Sequence, residues 1–293
     1  MNIQEMSLRA NKMKVSIIGH GFVGKALEFG LNDDIDALII DPIYSNEITD
    51  IASFKPKFIF ICVPTPMHDD KDQDLSILNK VISDINKLEI DAEIILKSTV
   101  LPNNIFEIQS SIPNIVYNPE FLTENNAFDD FINSDLIVLG GEKENVDKVS
   151  SFYTNSTKCI SQNIIHTDLI SASLIKYSIN SFLASKVIFF NELHNLFKHS
   201  GTEESWANFI SAVSSDSRIG KSHMQVPGPD GRYGFGGACF PKDSNALHKY
   251  SLSLNSELKM LKKVIDINNK IRGSYKSSTQ RENDQNINFV TKK

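Results

Sequence analysis

The segment Val15-Ser16-Ile17-Ile18-Gly19-His20-Gly21-Phe22-Val23-Gly24 runs from an apolar stretch through glycines spaced G-x-G-x-x-G into an amphipathic stretch. This order constrains the fold more than any other in the chain: a buried strand turns sharply into a helix. Gly19 permits the tight turn, Gly21 lets a pyrophosphate approach the backbone, and Gly24 lets the helix pack on the strand. Phe22 and Val23 open that helix, whose N-terminus is suited to receive the phosphates. Asp41 ends the next apolar run about 20 residues on, where a carboxylate binds ribose hydroxyls and repels a 2′-phosphate. The expected cofactor is therefore NAD. The alternative is a glycine turn that binds another nucleotide or none.

The rest of the first half repeats the alternation. Val15–Ile18, Ala37–Ile40, Phe58–Val63, Glu93–Lys97 and Leu136–Leu139 read as buried parallel strands. Helical patterns at Phe22–Leu31, Leu75–Leu88 and Asn103–Ser111 lie between several of them. The pattern implies an α/β fold with a doubly wound parallel sheet of Rossmann type over residues 13–165, after a polar extension at 1–12. Val63, Pro64 and Thr65 follow the third strand and Thr99 the fourth, so they sit where ligands bind in open α/β sheets. As isolated threonines, Thr65 and Thr99 read equally as turn or capping residues.

From Leu169 the pattern becomes helical. Leu169–His199 has apolar residues at helical spacing and neither Gly nor Pro, enough for a rod of about 46 Å. Such a helix suits a spine between domains or a homodimer interface. Helices are also expected at Ser205–Ser214, Ser244–Ser253 and Glu257–Ile271, giving an all-helical second domain over 166–272. The polar residues 273–293 lack periodicity and read as a disordered tail.

Net charge is −6 with no basic stripe, which argues against nucleic acid as a partner. No apolar run reaches the length of a membrane span. Cysteines at 62, 159 and 239 are too few and scattered for a disulfide framework or a metal site, and are expected as reduced thiols in the cytoplasm.

The second landmark is Gly234-Phe235-Gly236-Gly237-Ala238-Cys239-Phe240-Pro241-Lys242-Asp243. Glycines here let backbone approach a bulky ligand. Pro241 suits the first turn of a helix whose positive end would favour thiolate at Cys239. The turn reads either as a covalent-catalysis site or as a tight loop around a buried cysteine.

Taken together, GHGFVG, VPTP, KSTVLP, NPEFLTENNAFDDF, KYSINSFLASKVIFFNE, RIG, GFGGACFPKD and VIDINN make residues 13–272 resemble the UDP-glucose/GDP-mannose dehydrogenase family, nearest its UDP-glucose 6-dehydrogenase branch. The resemblance implies NAD-dependent oxidation of a sugar primary alcohol to a carboxylate, with Cys239 as nucleophile. It assigns Lys176 and Asn180, four apart on the long helix, to an oxyanion. It assigns Glu120 to acid/base or water-positioning work and Glu124 to a second site carboxylate. Asp243 and Thr99 would order water near the sulfur, and Arg218 would reach across a homodimer to the substrate. Phe121, Leu122, Phe235 and Gly236 would line the nucleotide-sugar site, with UDP-glucose the expected substrate. From the residues alone, Lys176 reads as a surface lysine, Glu120 and Glu124 as solvated carboxylates at a helix start, and Asp243 as an N-cap. Lys242 reads as structural or as answering substrate charge. The family normally continues into a third, nucleotide-gripping α/β domain, for which the residues after Ile271 are too few. A single-step dehydrogenase of a smaller substrate, or a non-catalytic NAD-binding partner, are the competing readings.

Overall fold

The computed structural model describes residues 12–68, 71–123 and 126–289. It divides into two compact units: residues 1–65 with 74–176, and residues 66–73 with 177–293.

The first unit is a seven-stranded sheet of β1 (Met13–Ile18), β2 (Ile35–Ile40), β3 (Phe58–Ile61), β4 (Glu93–Leu96), β5 (Val116–Tyr117), β6 (Ile137–Gly140) and β7 (Ile164–Thr167). Their order is β2-β1-β3-β4-β5-β6-β7. All pairings are parallel except β5 with β6, which meet antiparallel at Tyr117 and Gly140. The expected run at 136–139 is thus antiparallel to one neighbour and parallel to the other. Strands β5 and β7 escape sequence reading because one is two residues long and the other is half exposed.

Alternation along each strand sends apolar side chains to both faces. Phe58 and Phe60 of β3 enter one core with Val15 and Ile17, while Ile59 and Ile61 enter the other with Ile18 and Leu96. Helices α1 (Phe22–Gly30), α5 (Ala127–Ile132) and α6 (Lys143–Ser156) supply the first core. Helices α2 (Asp50–Phe54), α3 (Ser76–Asn86) and α4 (Pro102–Ser111) supply the second, with Leu169 and Ala172. Both layers bury the sheet, as a parallel sheet requires.

Helix α7 spans Leu169–His199 without interruption. Its first turns pack on the sheet core, so the unit boundary falls at Lys176/Tyr177 and not near 165. The second unit also takes in residues 66–73, which pair with each other at Met67 and Gln73. Its other helices are α8 (Trp206–Ser214), α9 (Phe240–Ser253), α10 (Lys259–Arg272) and α11 (Gln280–Asp284). Ala184 and Ile188 of α7 pack with Phe235 and Val264 in one cluster, and Phe190 packs with Met224 and Val226 in another.

The described part of the expected disordered tail, residues 273–289, is ordered. A capping box joins Thr279 and Glu282 at the start of α11. Ile287 and Phe289 then bury themselves with Met67. Five helical residues are too few to show periodicity, so the sequence hides this element. The extension at 1–12 lies outside the described residues except for Lys12.

Candidate active site

The glycine segment has the anticipated geometry. Gly19 adopts φ +91°, and a Cβ there would stand 2.8–2.9 Å from the Cys62–Val63 backbone, so the ends of β1 and β3 meet at a glycine. A Cβ at Gly24 would stand 2.1 Å from the Gly19 carbonyl oxygen. Gly21 is the N-cap of α1 and offers no side-chain cap, which leaves the first-turn N–H groups pointing outward. A Cβ on Gly21 would meet nothing within 4 Å, so the space above the helix end is open. Asp41 accepts the His20 N–H at 2.7 Å and the Ile43 N–H at 3.2 Å, which fixes its carboxylate at the end of β2. His20 is itself held, by Tyr44 Oη at 2.8 Å and Glu28 Oε2 at 2.7 Å. Open glycine, uncapped helix end and fixed carboxylate together fit a dinucleotide. Nearby, the Thr65 hydroxyl donates to the Thr99 carbonyl at 2.8 Å and ties the loops after β3 and β4 together.

A second group lies in the same unit. Lys176 on α7 is buried, with its ammonium on the Glu120 carbonyl at 2.5 Å and on Glu120 Oε1 at 3.2 Å. Glu120 Oε2 accepts the Leu122 N–H at 2.7 Å, and the Phe121 ring centre lies 5.3 Å from the Lys176 ammonium. Neither is a solvated surface charge, and Glu120 sits in a loop, not at a helix start. Glu124 lies outside the described residues.

Sequence reading left Lys97 unassigned. Its buried ammonium donates to Asn118 Oδ1 at 2.9 Å, the Asn118 carbonyl at 3.4 Å and Tyr153 Oη at 3.2 Å. Tyr153 donates in turn to Asn118 Oδ1 at 2.5 Å. Burial lowers the Lys97 pKa, although Cys62 and Glu120 pull it upward. Burial likewise pushes the Cys62 thiol up to about 12. A cavity of about 30 Å³, lined in part by Lys97, Asn118, Glu120, Tyr153 and Cys159, has room for a water. A lysine closing the apolar run of β4 was the available signal.

The second unit holds the cysteine turn. Cys239 is the N-cap of α9, and Pro241 lies in the first turn as expected. The positive helix end there favours negative charge on the sulfur. Asp243 is not the cap: its N–H donates to the Cys239 carbonyl at 2.8 Å, one turn into the helix. Its buried carboxylate accepts Asn180 Nδ2 at 2.6 Å and the Lys242 ammonium at 2.5 Å. Lys242 is itself buried, with its ammonium paired to this carboxylate. The turn is pinned by Asn191 Oδ1, which accepts the Gly234 N–H at 2.9 Å, and by Asn268, which bonds both the N–H and carbonyl of Phe235. Arg218 lies on the surface with its fork on Asp216, at 2.9 and 2.6 Å.

Residues 44–157 match the family model for the NAD binding domain of the UDP-glucose/GDP-mannose dehydrogenase family, and residues 170–270 match its central domain. The chain belongs to the UDP-glucose/GDP-mannose dehydrogenase family. NAD is the cofactor of the matched N-terminal domain. A UDP-glucose 6-dehydrogenase of Rickettsia bellii is 38% identical over 218 residues, covering 72% of this chain and 48% of that one. A Bacillus subtilis protein provisionally named UDP-glucose 6-dehydrogenase is 33% identical over 304 residues, covering 90% of this chain and 69% of its own. The chain thus spans about half the length of the Rickettsia relatives. Among solved structures, a UDP-glucose dehydrogenase from Pyrobaculum islandicum superposes with TM-score 0.75 at 24% identity, over 89% of this chain and 68% of that one. A 3-hydroxyisobutyrate dehydrogenase from Mycobacterium tuberculosis gives 0.70 at 14% identity, over 90% and 94%. These two likenesses speak for the fold.

Proposed function

We propose that this family member oxidises the C6 primary alcohol of a nucleotide sugar, UDP-glucose foremost, to a carboxylate through a covalent adduct on Cys239. The observation that carries the reading is Cys239 at the start of α9, one turn before an Asp243 bound to Asn180 and Lys242. NAD, when bound, accepts a hydride in each of two oxidation steps. Gly19, Gly21, Phe22, Val23, Gly24, Asp41, Val63, Pro64, Thr65 and Thr99 hold it.

Cys239 adds as thiolate to the carbonyl carbon of the aldehyde and forms a thiohemiacetal. Lys176 and Asn180 donate hydrogen bonds to the oxygen that gathers negative charge at that carbon. After oxidation to the thioester, Glu120 takes a proton from the attacking water, with Thr99 and Asp243 ordering that water. The C–S bond breaks, which frees the carboxylate and returns Cys239 as thiolate. Phe121, Leu122, Glu124, Phe235 and Gly236 line the sugar, and Arg218 reaches the substrate bound by a second copy. The protein works as a cytoplasmic homodimer in nucleotide-sugar metabolism that supplies polysaccharide synthesis.

The purified chain with NAD+ and a panel of UDP- and GDP-sugars is expected to form about two NADH per sugar, with Cys239→Ser stopping before the acid. No NADH from any sugar, with the cofactor still bound, defeats the proposal. The competing reading is a single hydride step on a smaller substrate. One NADH per turnover, unaffected by Cys239→Ala, would support it.

A further inference from the structure

Arg272 closes α10 in the second unit and is 3% exposed, although the cysteine chemistry gives it no role. Its Nη1 donates to Asp230 Oδ2 at 2.7 Å, and its Nη2 donates to Glu282 Oε1 at 2.5 Å. The rings of Tyr275 and Phe289 lie 5.8 and 5.5 Å from the guanidinium carbon. Glu282 is fully buried on α11, and its Oε2 accepts the Thr279 N–H at 2.7 Å. Burying such a pair costs solvation that its attraction only roughly offsets, so stability alone is a weak reason for it.

What the pair touches suggests another reason. A Cβ at Gly236 would stand 2.0 Å from Arg272 Nη2 and 2.3 Å from Glu282 Oε1. The backbone leading to Cys239 therefore rests directly on the ion pair, at a residue where a side chain has no room. Past α11 the chain runs on to the 66–73 loop: Met67 N–H donates to the Gln285 carbonyl at 3.2 Å, and Lys71 donates to the Asn288 carbonyl at 3.0 Å. Ile287 and Phe289 pack on Met67. One segment thus joins the cysteine turn to the loop that follows Val63-Pro64-Thr65 in the chain.

We propose that Thr279–Phe289 is a strap that sets the cysteine turn, with Glu282 and Arg272 as positioning residues for Cys239. The inference rests on the reading of Cys239 as the nucleophile, but its main test needs no turnover. Hydrogen–deuterium exchange on the full chain would follow peptides covering Gly234–Phe240 in the wild type, Glu282→Gln, Glu282→Asp and Asp230→Asn. Glu282→Gln keeps the side-chain shape and removes its charge. Turn amides are expected to exchange about ten-fold faster in Glu282→Gln and about three-fold faster in Asp230→Asn. In Glu282→Asp, which keeps the carboxylate, they should stay within about three-fold of wild type, and β1 to β4 should be unchanged in all variants. If Glu282→Gln does not fold, Asp230→Asn carries the test, because its carboxylate is already 34% exposed. Where the wild type oxidises sugar, Glu282→Gln should lower kcat about ten-fold without changing KM for NAD. Wild-type exchange rates across the turn in the folded carboxylate-to-amide variants overturn the proposal. Absence of sugar oxidation in the wild type counts against the reaction and leaves the exchange result standing.

Discussion

Lys97 shows how a buried charge can be held by neutral atoms. Its ammonium rests on two oxygens of Asn118 and on the Tyr153 hydroxyl. Removing the charge and removing its solvation should therefore have unequal effects. Lys97→Met deletes the ion and leaves the Asn118 side-chain oxygen still bonded to Tyr153, so the expected loss is about 1 kcal/mol. Asn118→Ala keeps the main-chain carbonyl but takes the nearer oxygen from the buried ammonium and the acceptor from Tyr153, and about 3–5 kcal/mol is expected. Urea denaturation of the two variants measures the difference, and equal losses would contradict this account. Cys62 gives a second test. With its thiol pushed up to about 12 by burial, from an ordinary value of 9.0, it carries about a thousand-fold less thiolate at pH 8 than in the unfolded chain. Iodoacetamide labelling followed by peptide mass spectrometry should spare Cys62 in the native protein and modify it in urea.

Among the elements, α1 and α11 mark the two extremes of legibility. Helix α1 was legible because three glycines with distinct tasks precede and enter it, and the Gly24 contact with the Gly19 carbonyl shows why only hydrogen fits there. Gly24→Ala should push α1 off β1, costing about 1–3 kcal/mol and weakening NAD affinity, as thermal melting and NADH fluorescence would read. Helix α11 was hidden because it is held by partners remote in sequence: Arg272 ten residues before Glu282, and Met67 more than 200 residues before Ile287. The same partners make it acid-sensitive. Burial alone would raise the Glu282 pKa, but the Thr279 N–H and the Arg272 bond and charge outweigh it and hold the carboxyl below its usual range. The native state then binds fewer protons than the unfolded state, so this contribution is complete above an ordinary glutamate pKa of about 4.3 and fades as pH falls through the lower folded value. The stability gap between wild type and Glu282→Gln should be constant from pH 8 to 5 and begin to narrow only as pH falls below the ordinary glutamate pKa of about 4.3.

At the scale of the whole molecule, the sequence separated an α/β part from a helical part, but it placed the seam before the long helix. The seam lies inside the helix because Leu169 and Ala172 belong to the sheet core, while Ala184 and Ile188 belong to the second unit. A continuous 3.6-residue pattern carries no mark of which core each turn serves. The same helix bears Phe182, Phe189 and Leu196, 66%, 60% and 64% exposed and spaced by seven on one face. Apolar exposure at that spacing supports the proposed homodimer through residues 169–199. Light scattering at micromolar concentration should give a dimer for the wild type and a monomer for Phe189→Glu with Leu196→Glu. A monomeric wild type would remove the homodimer from the proposal.

Lys176 grips Glu120 twice, once through the main-chain carbonyl and once through the carboxylate. One anchorage is immune to substitution, since any residue at 120 keeps its carbonyl. The protein therefore separates location from acidity at this point in a way an experimenter can exploit. Glu120→Gln strips away the carboxylate while Lys176 stays moored on the main-chain carbonyl, so a rate lost in that variant reports on the proposed proton transfer and not on a displaced lysine.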